Sequence, residues 1–473
     1  MRRNWKHDIG LRILKLINIL LIACPFFLCW HFYYAVRAGA LYSQSIKLYL
    51  LLPVAFLILY VVFGRIYNAF LVSYYRLFEM VYSQMLSACI SDGLAYFLIC
   101  ILCKHFQTLW PGLLAIAGQF AMSLIWSLCS RRWYFWCFPP KKTYVIYDTR
   151  FGIEEMLESY GLSKKYEVDK VIPVSDVLND LSVLDDIEEV FLSGIHSHDR
   201  NVIIKYCIDK GIEALVLPRI GDAIMLGARR MHIMHLPVLQ VHRYNPKPEY
   251  LLSKRFFDIV LSSITLLILW PVFLVTAILI KKDGGPVFYK QERLTKDGKV
   301  FKLIKFRSMR VDAEKDGVAR LSTGDNDDRI TPVGRVIRKL RIDELPQLFN
   351  VLKGDLSIVG PRPERPSIAQ QYEEEMPDFR LRLQCKAGMT GYAQVHGKYN
   401  TTPYDKLMMD LMYIANPGFL QDLRIIIATV KILFLPESTE GIKEGQITAM
   451  DTEPSNAAVN ETEAEEDEKT TVA

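Results

Sequence analysis

The chain has little of what marks a disulfide scaffold, a metal cluster or a dinucleotide fold. Its 473 residues hold nine cysteines, and seven of them lie at or before Cys137, in or beside apolar runs. Thiols placed there behave as small buried hydrophobes, so neither a disulfide framework nor a zinc site is supported. The G-x-G-x-x-G fingerprint is missing. Where a first strand would feed it, the chain reads Asp148-Thr149-Arg150-Phe151-Gly152, with one glycine. That argues against a bound dinucleotide. The net charge is only +5, and no nucleic-acid partner is expected. The first apolar run is too long for a signal peptide, and three similar runs follow it.

What the chain has in quantity is apolar sequence, at 51% of residues, concentrated toward the N-terminus. Four stretches, at about 12–35, 46–64, 80–103 and 108–129, each approach the ~20 residues that span a bilayer. Basic residues set their orientation. Arg2, Arg3, Lys6, Arg12 and Lys15 flank the first stretch, Arg65 and Arg76 occupy the second loop, and Arg131, Arg132, Lys141 and Lys142 follow the fourth. The alternate loops carry only Arg37, Lys47 and Lys104. This pattern puts the N-terminus, and everything after about residue 130, on the cytoplasmic side. Asp92 lies within the third stretch, where an acid faces a bundle interior or serves a function.

Residues 142–247 alternate strand and helix signals: Tyr144–Tyr147, Val168–Val174, Glu189–Ser193 and Ala214–Leu217, with helical spacing around 152–161 and 198–210. A small α/β domain with a parallel sheet follows, Rossmann-like in order but structural or regulatory in role. A fifth apolar segment, 257–280, has Lys254 and Arg255 before it and Lys281 and Lys282 after it. Both flanks want the same side, and Pro271 interrupts the helix between them. The expectation is a re-entrant hairpin, with Ser262, Ser263 and Thr265 available to satisfy freed backbone groups. Leu420–Leu435 reads as an amphipathic helix, for the membrane surface or for the core.

Chemistry concentrates after that segment. Residues 281–310 hold ten Lys or Arg against three acids, an anion-binding balance, whereas 451–473 hold eight acids and one lysine and read as a disordered tail. The run Arg341-Ile342-Asp343-Glu344-Leu345-Pro346-Gln347 offers adjacent carboxylates at a helix start, with Asp343 as N-cap and proline in the first turn. A helix N-terminus favours a carboxylate and a diphosphate alike. Arg293, Lys299, Lys305, Arg307 and Arg341 are candidates for phosphate contacts; membrane headgroups would also suit the basic segment. Arg362, with its backbone fixed by Pro361 and Pro363, suits the placing of one phosphate. Gly388, Gly391 and Gly397 suggest a tight turn, with Gln394 as a polar contact.

From residue 254 onward the chain resembles the bacterial sugar transferase family, the polyprenyl-phosphate glycosyl-1-phosphate transferases. The resemblance rests on an ordered set: Lys254-Arg255-Phe256-Phe257-Asp258, Gly285-Pro286-Val287-Phe288-Tyr289, Gln291-Glu292-Arg293, Lys305-Phe306-Arg307-Ser308-Met309, Asp343-Glu344-Leu345-Pro346-Gln347, Gly360-Pro361-Arg362-Pro363-Glu364 and Thr390-Gly391-Tyr392-Ala393-Gln394-Val395. Four spans and a soluble α/β module before it resemble the large, multidomain branch. The resemblance implies transfer of a sugar-1-phosphate from a UDP-sugar to undecaprenyl phosphate, with release of UMP, as the first membrane step of capsule, exopolysaccharide or O-antigen assembly. It implies Mg²⁺ and an Asp-Glu dyad, carried onto Asp343 as covalent nucleophile and onto Glu344. Asp343 is a candidate metal ligand, and Glu344 could instead hold the metal or orient groups.

The expected architecture is therefore a four-span bundle (1–139), a Rossmann-like cytoplasmic domain (140–250), a mixed α/β membrane-associated catalytic domain with a re-entrant helix at about 257–281 (251–440), and an acidic tail (441–473). The expected setting is the bacterial inner membrane, multi-pass, with membrane lipids as partners; a homodimer is compatible with this layout. Trp270, Thr295, Ala387 and Lys398 depart from the common family pattern without touching the dyad. Two other readings stay open: a membrane-anchored enzyme that modifies nucleotide sugars, and a non-catalytic scaffold of polysaccharide export.

Overall fold

The computed structural model describes residues 5–37, 46–311, 313, 329–397 and 401–433. The acidic tail and Lys398 lie outside the described residues. The chain divides into two compact units, Met1–Leu217 and Pro218–Ala473.

In the first unit, four helices are long and apolar enough to cross a membrane: Trp5–Arg37, Tyr49–Ile66, Leu77–Cys103 and Trp110–Cys137. They pack through aromatic rings and small or polar side chains. Phe26 stacks on Phe56, and the Tyr60 hydroxyl donates to Asn18 Oδ1 at 2.7 Å. Asp92 faces the bundle interior, where its Oδ1 accepts from Gln119 Nε2 at 3.3 Å. A polar pair inside such a bundle acts as glue between helices.

The same unit then forms a parallel four-stranded sheet. Lys141–Tyr147 lies between Tyr166–Pro173 and Glu189–Ser193, with Glu213–Val216 at the edge. Strand Lys141–Tyr147 is buried over Thr143, Tyr144, Val145 and Ile146, as expected of a strand covered on both faces. Helix Ser197–Lys210 sends Ile203 and Cys207 into the core beside Tyr144, Ile146, Val190 and Leu192.

The second unit opens earlier than the sequence boundary of 250. Helix Ile220–Leu226 belongs to it, with Ala223 in the same core as Val359, Phe379, Leu407 and Leu411. The Tyr244 amide also donates to Gln384 Oε1 at 3.0 Å. Helix Pro248–Lys282 follows, the fifth helix long and apolar enough to cross. The freed backbone at Pro271 does not open a loop, and the segment is helical from end to end. Ser262, expected to satisfy that backbone, is buried and its hydroxyl has no hydrogen-bond partner.

Both halves of this helix reach one short helix, Gln347–Lys353. Arg255 donates to the Val351 and Leu352 carbonyl oxygens at 2.6 and 2.7 Å, while the Phe273 ring lies edge-on to Phe349 at 6.0 Å between centroids.

The rest of the unit is a scaffold for loops. Phe288–Leu294 and Val300–Phe306 form an antiparallel hairpin. Its inward residues Phe301 and Leu303 pack on Val351, Leu356 and Ala387. Ser357–Val359 pairs in parallel with Gly388–Thr390. Glycine is required here: a Cβ on Gly388 would fall on the backbone of Gly360. Helix Phe419–Leu433 has one face in the core and one exposed apolar face. Ile425 is in the core and Asp422 is paired with Lys254 at 2.7 Å, while Leu420, Leu423 and Leu433 are exposed.

Candidate active site

Asp343 and Glu344 sit in a short 3-10 turn, Ile342–Glu344, rather than at a helix cap. Helix Gln347–Lys353 begins later, and the residue at its cap position is Pro346, with no side-chain cap. The N-cap expectation for Asp343 is therefore corrected. Leu345 and Pro346 extend the turn before regular helix begins, and nearby side-chain charges take the role assigned to the helix dipole. The turn is entered through Arg341, whose backbone is left-handed (φ 55°). For a residue with a Cβ this disfavours the chain by about 1–2 kcal/mol. Such outliers cluster at functional sites.

The two carboxylates are held differently. Glu344 Oε1 accepts from Lys305 Nζ and from Arg362 Nη2, each at 3.2 Å. Burial pushes the Glu344 carboxyl up, but Lys305, Arg362 and Arg341 together outweigh it and hold it well below the usual range. Asp343 has no hydrogen bond to its carboxylate among the described residues. Burial pushes Asp343 up, the Glu344 charge adds to this, and Lys305, Arg338 and Arg341 pull against it. Burial likewise draws Lys305 down against the pull of both carboxylates. The net result is one firmly ionised, pinned carboxylate beside one that is raised and uncommitted.

Arg362 stands on the loop Gly360–Glu364 with its side chain 42% exposed, so it meets Glu344 and still faces solvent. Arg293 lies on the inward face of the hairpin, opposite Phe301. It donates to the Pro363 carbonyl at 3.0 Å and to Gln291 Oε1 at 2.6 Å, and burial lowers it to about 10. It supports the Arg362 loop directly.

The other cationic candidates are dispersed. Lys299 is exposed at the hairpin turn. It is six residues, or about 20 Å of strand, from Lys305. Arg307 is buried, and its Nη2 donates to the carbonyls of Ile280 and Gly284. It thereby caps the end of helix Pro248–Lys282, a structural task. Gln394 donates to the Met389 carbonyl at 3.0 Å, and its own oxygen is buried without a partner.

Three residues linked to the Arg362 loop were not read from the sequence as site candidates. Arg382, on the 3-10 segment Pro377–Gln384, reaches Asp410 at 2.7 Å and Glu364 at 3.4 Å. Glu364 lies below its usual range: burial raises it, and Arg382, Lys406, Arg293 and Arg362 more than reverse this. Glu364 closes a motif already legible as Gly360–Glu364, but Arg382 and Asp410 stand 28 residues apart with no spacing signal to join them.

No group of three or more His, Cys, Asp or Glu side chains is placed to hold a metal ion among the described residues. A pair of adjacent carboxylates is compatible with Mg²⁺, which takes one or two carboxylates and completes its shell with phosphate oxygens and water.

Residues 249–436 match the family model described as bacterial sugar transferase. A protein of Rhizobium leguminosarum bv. phaseoli named exopolysaccharide production protein PSS is 43% identical over 190 residues, which are 38% of this chain and 94% of that protein. The chain belongs to the bacterial sugar transferase family. Two longer relatives are also similar to this family member. The UDP-N-acetylgalactosamine-undecaprenyl-phosphate N-acetylgalactosaminephosphotransferase of Aeromonas hydrophila is 40% identical over 208 residues, 43% of this chain and 49% of its own. The UDP-glucose:undecaprenyl-phosphate glucose-1-phosphate transferase of Klebsiella pneumoniae is 34% identical over 274 residues, 56% of this chain and 58% of its own. The transferase match thus spans about half of these longer relatives.

Proposed function

We propose that this sugar transferase moves a sugar-1-phosphate from a UDP-sugar to undecaprenyl phosphate. It would do so at the cytoplasmic face of a bacterial inner membrane, as the first membrane step of a surface glycan. The observation that carries this reading is the division of labour in the dyad: Glu344 is pinned by Lys305 and Arg362, and Asp343 beside it is left uncommitted.

An Asp343 carboxylate oxygen attacks the phosphorus that bears the sugar. The bond from that phosphorus to the bridging oxygen breaks, and UMP leaves with the electron pair. The aspartyl-phosphosugar then meets a phosphate oxygen of undecaprenyl phosphate, which takes the phosphosugar and frees Asp343. Splitting the transfer in two avoids bringing the anionic leaving group and the anionic acceptor together. The cations whose charge acts on the dyad, Lys305, Arg293, Arg338, Arg341 and Arg362, outnumber its two carboxylates. That surplus suits a diphosphate. Mg²⁺, with Asp343 as ligand or Glu344 in its stead, would neutralise phosphoryl oxygens facing the nucleophile.

The re-entrant reading of Pro248–Lys282 belongs to the same proposal. Arg255 and Phe273 would stand about 27 Å apart on a straight helix, yet both touch a helix only about 10 Å long. A bend within the segment would shorten that distance. Exposed Leu267, Ile268 and Trp270 near the bend would then enter the lipid from one side. The four N-terminal spans and the Rossmann-like domain complete the layout proposed for the full chain.

The relatives' names differ in their sugar, so the donor is left to experiment: UMP release in nanodiscs with undecaprenyl phosphate, a panel of UDP-sugars, and Mg²⁺ or EDTA. Release that needs lipid phosphate and Asp343, and is lost with EDTA and restored by Mg²⁺, is the expected result. No release from any donor by folded protein would sink the reading.

A further inference from the structure

The loop that carries Arg362 is tied at four consecutive carbonyl oxygens, each by a different donor. The Pro361 oxygen accepts from the Gly388 amide at 2.9 Å, and the Arg362 oxygen from Arg382 Nη2 at 2.9 Å. The Pro363 oxygen accepts from Arg293 Nη1 at 3.0 Å, and the Glu364 oxygen from the Leu294 amide at 3.0 Å. Pro361 and Pro363 have no amide hydrogen and a fixed φ. The backbone of Arg362 is therefore held from several sides, and the one tie to its own carbonyl comes from Arg382.

Arg382 is itself held with unusual completeness. Its side chain is 4% exposed. Nε donates to Asp410 Oδ2 at 2.8 Å, and Nη1 lies 3.4 Å from Glu364 Oε1. Asp410, on helix Pro403–Ala415, is 1% exposed. A buried guanidinium needs such partners merely to be tolerated. A core ion pair alone, however, would not require the third contact, to the peptide oxygen of the residue whose side chain grips Glu344.

We propose that Arg382 is a positioning residue for the donor diphosphate. It acts through Arg362 by fixing that residue's carbonyl, with Asp410 and Glu364 aiming the Arg382 fork. This rests on the reading of the dyad pocket as a diphosphate site. The chain of contacts runs from Asp410 through Arg382 to the Arg362 backbone, and from the Arg362 side chain to Glu344 beside the nucleophile.

The test is UDP binding by calorimetry, with the full chain in nanodiscs, in a double-mutant cycle. Arg382→Lys keeps the charge that Asp410 and Glu364 need but cannot make the planar fork. It is expected to weaken UDP binding by about tenfold. In an Arg362→Ala background the same change is expected to weaken it no further, because the residue it positions is gone. Asp410→Asn, which retains shape, should repeat the pattern if Arg382→Lys fails to fold. Equal weakening in both backgrounds, or none in either, would overturn the inference. Folded wild type that binds no UDP overturns it together with the diphosphate-site reading. The expected coupling without UMP release from any donor upholds Arg382 and sinks only the transfer chemistry.

Discussion

At the scale of single residues, the two carboxylates of the turn have opposite signs in both stability and chemistry. Asp343 is raised in the folded chain by burial and by Glu344. A raised acid contributes stability below its unfolded pKa and loses it as pH rises through the folded value. At neutral pH its ionisation therefore works against folding. Asp343→Asn is expected to lower UMP release by on the order of 10³-fold or more. The same variant is expected to gain roughly 1 kcal/mol of stability, the trade-off met where a site is kept strained for activity. Thermal unfolding beside the assay checks both halves. Glu344 is depressed, so its contribution is present above the unfolded pKa and lost as pH falls through the folded one. Glu344→Gln is expected to lose about 2 kcal/mol at neutral pH, and the loss should shrink in acid. The acid limb of the wild-type rate profile, set by Asp343 in the proposed mechanism, should stand above the ordinary aspartate value of about 3.9.

At the scale of elements, helix Pro248–Lys282 makes the clearest claim. If it enters and leaves on one face, cysteines placed at Lys247 and Lys282 should both react with an impermeant maleimide in inside-out vesicles, and neither in spheroplasts. Opposite behaviour at the two ends would mean a true crossing. The elements were legible in the sequence to different depths. Long apolar runs and the strands of the parallel sheet declare themselves by period and composition; the strands fall within three residues of where they were expected, and the apolar helices run up to nine residues beyond. The turn that holds the dyad did not. Asp-Glu-Leu-Pro reads as a capped helix start, yet the left-handed Arg341 and the unsatisfied cap at Pro346 delay the helix. Arg307 sits among lysines that look alike in sequence, and only the fold turns it toward the carbonyls of Ile280 and Gly284. Arg382 and Asp410 were invisible for the same reason: a buried ion pair between separate elements leaves no local pattern.

At the scale of the molecule, the boundary at Pro218 gathers the dyad, its cations and the apolar helix into one unit with its own core. A unit of that kind can fold alone. Residues 218–473 expressed with detergent should retain UMP release within about tenfold of the full chain. Loss of release with retained helicity would assign the first unit a part in the chemistry. Amide exchange across the whole chain would have thin coverage at the Arg362 loop of this unit. Pro361 and Pro363 have no exchangeable amide, so only Gly360, Arg362 and Glu364 of the Arg362 loop report directly to deuterium. Its loosening would be heard elsewhere, in the amides of Leu294 and Gly388 that hold its carbonyls. Two residues on strands outside the loop thus add reporters to a loop that has few of its own.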